Sequence, residues 1–305
     1  GSIFDQRPTV YEGSEQSLRS ELNLFTLPPT DVSTKNSSEY VPSFPLTSVR
    51  EGFAPLEFLL LAENSGYYDL SDSFLSLTCR IVKQNGEECG DTNIVAPSSN
   101  FFHAMFQNLE VYVNITLVSD SSNFYPSIAY IQRLLSANPI EKANALRDEL
   151  WYPNDVPEKF TSADQGFKKR FELSQKSQQF TMLGKLCCNI FNQPRWFPSG
   201  TEIRIILKRS PPEFCLNSAV ETLEPFSGCP YRVELNSAIF YSSRKTISQK
   251  ILDMHRQKLA SGDTCKYPMV DVDMRTFTVA KGLTSATNDG IVLGRIPKII
   301  VIGVT

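Results

Sequence analysis

The chain of 305 residues is 41% hydrophobic, enough to bury one large core, or one core plus a second piece. Lysine and arginine number 30 against 33 acidic residues, and the net charge of -3 excludes a long-range electrostatic draw towards nucleic acid or an anionic membrane. The longest apolar runs, Leu59 to Ala62 and Ile299 to Val304, fall far short of the roughly 20 residues that span a bilayer, so no membrane helix is expected.

The chain starts Gly1-Ser2-Ile3-Phe4-Asp5, without a methionine or the blocks of a secretion signal, which reads as a trimmed or engineered start. Residues 1–44 are polar and broken by Pro28-Pro29-Thr30 and the run Ser33 to Ser38. They read as an extended arm, either loose or ordered against a neighbouring subunit.

Period-two alternation follows, the mark of strands with one wet face. Leu75, Leu77, Cys79 and Ile81 alternate with Ser76, Thr78 and Arg80, and Leu109, Val111, Val113, Ile115 and Leu117 form one clean alternating run. Ile203, Ile205 and Leu207 repeat the pattern, as do Tyr231, Val233, Leu235 and Ile239. Pro55 to Leu61 and Phe180 to Ile190 are rich in strand formers, and turns at Asn85-Gly86, Asn192 to Pro194 and Pro198-Ser199-Gly200 divide the runs, giving at least seven strands between residues 55 and 245. Such a set must close on itself or pair face to face, as a barrel, an immunoglobulin-like sandwich or a jelly roll.

Two helices break the pattern. The first starts near Pro126 and carries Ile128, Ile131, Leu134 and Leu135; the second opens at Asn138-Pro139-Ile140-Glu141 and carries Ala143, Leu146 and Leu150. A helical insertion of this length favours a jelly roll over an immunoglobulin-like domain. A third helix is capped by Ser248, carries Ile251, Leu252, His255 and Leu259, and stops at Gly262. Arg275 to Val279 and Ile296 to Val304 then read as the first two strands of a second sheet. The fold class is therefore mainly β: an antiparallel jelly-roll sandwich with helical insertions, plus the first strands of a second jelly roll. The divisions are 1–44 (arm), 45–247 (first roll), 248–268 (linker helix) and 269–305 (start of an incomplete second roll, read as a truncation).

Little in the sequence points to chemistry. Seven scattered cysteines in a chain of this size read as reduced core thiols, with Cys187 and Cys188 on opposite faces of a strand. The two histidines, His103 and His255, make no His-x-His pair, and a cupin-like metal site needs several. Neither Gly-x-Ser-x-Gly nor a phosphate loop occurs, and Glu87-Glu88 and Asp271 with Asp273 read as solvated carboxylates. No catalytic residue, metal, cofactor or small-molecule substrate is expected. Asn36-Ser37-Ser38 and Asn114-Ile115-Thr116 match the glycosylation pattern, which matters only in a secreted protein.

Lys168-Lys169-Arg170 is a tight basic cluster, read as either a nucleic-acid-facing patch or a solvated loop. Trp151-Tyr152-Pro153 and Arg195-Trp196-Phe197-Pro198 are aromatic segments that either anchor subunit contacts or pack locally. Candidate subunit-interface residues are Phe25, Pro28, Pro29, Trp151, Tyr152, Trp196 and Phe197.

Several segments carry a resemblance to a known family. Leu22-Asn23-Leu24-Phe25-Thr26-Leu27-Pro28-Pro29-Thr30, then Pro55-Leu56-Glu57-Phe58, then Tyr67-Tyr68-Asp69-Leu70 ahead of Phe74-Leu75 resemble the amino-terminal signature of the major capsid proteins of Polinton/Maverick elements and adintoviruses. Asn100 to Phe106 with Leu109-Glu110-Val111, and Tyr125-Pro126 with Tyr130-Ile131, resemble the family's next strand and helix. The block from Tyr267-Pro268 through Arg275-Thr276-Phe277 to Ile296-Pro297-Lys298-Ile299 resembles its crossing into a second roll. The resemblance implies two jelly rolls per subunit, homotrimeric pseudo-hexagonal capsomers, and an icosahedral shell with penton and minor capsid proteins as partners. It also implies a place in the virion, with assembly inside the host cell and no secretion. The alternative is a β-sandwich module that recognises glycan or protein through its loops, including a capsid gene reused by a host.

Overall fold

The computed structural model describes residues 22, 24–25, 39–49, 54–61, 66–138, 140, 145–155, 164–218, 229–270, 272–279, 281–282, 287 and 296–303. The strands are β1 (Glu39–Ser43), β2 (Leu56–Leu61), β3 (Gly66–Lys83), β4 (Val95–Pro97), β5 (Phe106–Val113), β6 (Thr116–Asp120), β7 (Phe180–Gly184), β8 (Glu202–Arg209), β9 (Leu216–Ser218) and β10 (Tyr231–Thr246). The longer helices are α1 (Tyr125–Ser136), α2 (Gln165–Ser174) and α3 (Gln249–Ala260).

The pairing is that of one long hairpin rolled up. β1 pairs with β10, β2 with β8, β3 with β7 and β5 with β6, all antiparallel. Ladders β3–β10 and β5–β8 then join the arms into two four-stranded sheets, ordered β1-β10-β3-β7 and β2-β8-β5-β6. This connectivity is a jelly roll. The short β4–β9 ladder lies apart from both sheets.

Alternation puts the core where the sequence expects it. Leu75, Leu77, Cys79 and Ile81 of β3 face Leu56, Phe58 and Leu60 of β2, Leu109 and Val111 of β5, and Ile203, Ile205 and Leu207 of β8 within one buried cluster. Each such side chain contributes on the order of 1.5–3 kcal/mol by leaving water.

The departures have local causes. The run from Leu109 to Leu117 is two strands, because Asn114 takes a left-handed φ of 56° and turns the chain into the β5–β6 hairpin, leaving Ile115 96% exposed at the tip. In β10 the register steps from Leu235 opposite Cys79 to Ser237 opposite Thr78. This bulge at Asn236 exchanges the faces, so Ala238 and Phe240 are buried while Ile239 points outward. Glu39–Ser43, read from sequence as the end of the arm, is an edge strand of the roll. Phe180 to Ile190 is a strand only to Gly184; Cys187 and Cys188 lie beyond it, both buried in the core rather than on opposite faces.

α1 forms as expected, burying Tyr125, Ile128 and Ala129. Of the second expected helix, 139 and 141–144 lie outside the described residues, and Ala145–Glu149 is a 3-10 turn rather than an α-helix. α2 was not expected: Asp164 caps it by accepting from the Phe167 amide at 2.8 Å. α3 starts after Ser248 and ends at Gly262, whose φ of 92° suits glycine. It docks by Leu252 against Tyr67 and Ile247, while Leu259 stays exposed. Among the described residues beyond it, Arg275 to Val279 and 296–303 are exposed chain without strand pairing. Two strands alone leave both edges unpaired, which makes a hairpin marginal.

Gly166 at the start of α2 shows how closely the insertion packs: a Cβ there would stand 2.0 Å from the Pro153 carbonyl oxygen, whereas one at Gly90 would meet only Asn93 Oδ1 at 3.8 Å. Gly166→Ala is expected to lower stability in urea by about 2–3 kcal/mol, and Gly90→Ala to change it by less than about 0.5 kcal/mol.

Candidate functional site

The most concentrated set of polar groups is buried between α1 and the sheet ends. The helical turn Phe101–Ala104 carries His103, which is 0% exposed. Its Nδ1 lies 2.8 Å from the Tyr125 hydroxyl and its Nε2 lies 3.1 Å from Glu149 Oε2. Arg133 Nη2 donates to Glu149 Oε1 at 2.6 Å and to the Lys185 carbonyl at 3.3 Å. The Cys187 amide donates to the Tyr125 hydroxyl at 3.3 Å, and Cys187 Sγ stands 3.9 Å from His103 Nε2. Gly184 makes room for this, since a Cβ there would lie 2.9 Å from Glu149 Oε1 and 2.8 Å from the Phe102 ring.

Electrostatics follow from burial and pairing. Burial disfavours the imidazolium, but the facing Cys187 sulfur and the Glu149 carboxylate outweigh it and raise His103 to about 9. Burial likewise pushes Glu149 up, and His103 and Arg133 reverse that, holding its carboxyl below the ordinary range. Burial raises Tyr125 well above its ordinary value, so it stays a neutral hydroxyl.

Cysteine, histidine and glutamate together invite comparison with a nucleophilic triad, in which the imidazole faces the nucleophile with one nitrogen and its orienting acid with the other. Here the thiol and the carboxylate share Nε2, and Nδ1 is turned to Tyr125. The cluster therefore works as a staple, tying α1 and the 3-10 turn to the chain after β7. Among the described residues, no three His, Cys, Asp or Glu side chains are arranged to hold a metal ion.

The residues singled out from sequence fall in different places. Phe25 is 99% exposed, and Pro28 and Pro29 lie outside the described residues. Trp151 is buried and stacks on Tyr130 with centroids 4.9 Å apart; Phe197 is buried and stacks on Tyr267 at 4.4 Å. These two aromatics pack inside the chain rather than standing free for a neighbour. Tyr152 and Trp196 are half-buried, Tyr152 under Lys169 Nζ and Trp196 under Lys245 Nζ.

The basic triplet is split by the helix it lies on. Lys168 and Lys169 are exposed, but Arg170 is 0% exposed and cannot face nucleic acid. Its guanidinium donates to the Pro97 carbonyl at 2.7 Å, to the Tyr152 carbonyl and to Asn154 Oδ1, and burial lowers it to about 10. Its acceptors come from the end of β4 and from the segment after the 3-10 turn, which no local pattern announces. The Asp164 cap with Phe167, Arg170, Phe171 and Ser174 at helical spacing was the available signal.

The outer faces of the two sheets differ. On β2, β8 and β5 the outer face is a charge ladder, with Arg204 on Glu57 at 3.4 Å and Lys208 on Glu110 at 2.5 Å. On β1, β10 and β3, Phe74 packs against Tyr40 and Tyr241 with centroids 5.2 and 5.0 Å apart. Register places Pro42 beside Tyr241, and Ile239 in line with Ser76 and exposed Leu183, extending an apolar band across the four strands. Ion pairs frame it, Arg80 with Glu234 at 2.6 Å at one end and Lys245 with Asp72 at 3.3 Å at the other. An apolar centre inside a polar rim is the anatomy of a contact surface.

The topology makes this chain a jelly roll, and comparisons with known proteins add the following. No protein-family model matches the chain. Uncharacterized protein F54H12.2 of Caenorhabditis elegans is 20% identical over 286 residues, covering 91% of this chain and 65% of that protein. Among solved structures, PBCV-1 VP54, fitted into a reconstruction of the virophage Sputnik, aligns with TM-score 0.47 and 11% identity over 76% of this chain and 47% of that one. The mavirus major capsid protein gives 0.42 and 13% over 79% and 53%, and the Faustovirus major capsid protein 0.48 and 9% over 77% and 58%. The chain thus spans about half the length of these structures and less than two thirds of the worm protein.

The staple predicts a distinctive pH profile. Glu149, depressed, contributes stability above its unfolded value near 4.5 that is lost as pH falls, whereas His103, raised, contributes fully below 6.5 and loses it as pH climbs through about 9. Thermal unfolding from pH 4 to 10 should show the staple's contribution greatest between those limits, and His103→Gln should flatten the alkaline decline. Glu149→Gln should cost about 3 kcal/mol in urea titration at pH 6.

Proposed function

We propose that this chain is the front part of a double jelly-roll major capsid protein, a structural subunit and not an enzyme, related to those of Polinton/Maverick elements and adintoviruses. The observation that carries the reading is the apolar band of Tyr40, Phe74 and Tyr241 on the outer face of a complete roll. Its area does nothing for the core, and another copy would cover it. The resemblance of the Leu22–Thr30, Pro55–Phe58 and Tyr67–Leu70 segments to that family supports the same reading. So do the exposed Ile296, Ile299, Ile300 and Ile302, apolar side chains suited to burial in a second roll.

In this reading the chain before Glu39 is an arm, 39–247 the first roll, beginning with β1, 248–268 a linker and 269–305 the start of a second roll. Three copies form a pseudo-hexagonal capsomer, and capsomers tile a virion shell with penton and minor proteins. Tyr152 and Trp196 lie near subunit contacts, and Lys168 and Lys169 face nucleic acid within the shell.

The experiment is light scattering with electron microscopy on the gene's full-length product, beside a Phe74→Asp/Tyr241→Asp variant. The natural protein should form capsomers or shells. The variant should fold with an unchanged circular dichroism spectrum yet need at least about tenfold more protein to assemble, a loss of roughly 1.4 kcal/mol. Persistent monomers, or a variant that assembles at the natural concentration, would contradict the reading.

A further inference from the structure

At the end of β8 the chain turns at Ser210, and a small cavity of about 10 Å³ opens between Met105, Arg209, Ser210, Pro212, Cys215 and Val233. That is room for a single atom-sized occupant. Ser210 is 5% exposed, and its Oγ makes no hydrogen bond. The Arg209 guanidinium donates from Nη2 to the Val233 carbonyl at 3.1 Å. The groups that bear on its charge are the Cys215 and Cys79 sulfurs rather than a carboxylate, and burial lowers its basicity.

Two carbonyls beside the cavity already accept one hydrogen bond each. The Val233 carbonyl already accepts from Arg209, and the Met105 carbonyl accepts from the Ser210 amide at 2.8 Å. Burial pushes the Cys215 thiol up to about 12, so it remains S–H, a weak donor. What remains is a guanidinium, a hydroxyl and a thiol around one small space. The half-buried Arg209 guanidinium has no ion-pair partner among the described residues, and a water in that space supplies no charge, whereas a monovalent anion supplies charge and accepts hydrogen bonds.

We propose that this cavity is a chloride-sized anion site, in which the ion pairs with the Arg209 guanidinium and accepts from the Ser210 hydroxyl. The ion ties the end of β8, the turn Pro212–Cys215, Met105 and β10 at Val233 to one point. No nucleic acid, substrate or second copy is involved, so the site stands whether or not the chain assembles.

Crystals of the full chain soaked in sodium bromide should show an anomalous peak between the Arg209 guanidinium and Ser210 Oγ. The thermal midpoint in sodium chloride should exceed that in sodium gluconate at equal ionic strength by about 3 °C or more. Both Arg209→Met and Ser210→Ala should shrink that difference, and Ser210→Ala, a one-atom deletion, keeps the test readable if Arg209→Met does not fold. No anomalous peak in the cavity, or a chloride effect as large in Ser210→Ala as in the natural chain, would overturn the proposal.

Discussion

The antiparallel ladder between β3 and β10 is the constraint on which the molecule depends. It brings Leu75, Leu77, Cys79 and Ile81 beside Leu235, Ala238 and Phe240, residues from opposite ends of the roll, and it places β1 and β7 on its two flanks. One face of the ladder is the floor of the core. The other carries Phe74 and Tyr241 into the outward apolar band. Because its partners lie so far apart in sequence, loop-closure entropy opposes it until the intervening hairpins have formed.

Much of this was legible in the sequence, because alternation is a local property. The inward faces of β3, β5 and β8, the start of α1 at Pro126 and the stop of α3 at Gly262 follow from spacing and capping within a few residues. What alternation cannot show is a change of phase. The bulge at Asn236 turns Ile239 outward although it lies in phase with Leu235, and the left-handed Asn114 converts one run into a hairpin. A bulge depends on its partner strand, and an Asn between apolar residues is compatible with either outcome.

The partners within the polar sites were not legible in the sequence. His103, Tyr125, Arg133, Glu149 and Cys187 come from a helical turn, a helix, a 3-10 turn and a loop, and only the closed roll assembles them. Arg170 misled in the opposite direction: two neighbouring lysines made it look like surface charge, while its acceptors are the Pro97 and Tyr152 carbonyls and the Asn154 side chain. In both cases a charged side chain is used to fix an insertion to the sheets. Such groups hold position through hydrogen bonds that are costly to leave unmade once buried.

The apolar band is a property of the same ladder that organises the core, so under the proposed function one element would serve both folding and assembly. Hydroxyl-radical footprinting of particles formed by the full-length protein, against the same protein dissociated, tests that link directly. Tyr40, Phe74 and Tyr241 should be oxidised more slowly in the particles, while Tyr112 on the charged outer face of the other sheet serves as the comparison. Equal oxidation of the three aromatics in both states would contradict the account.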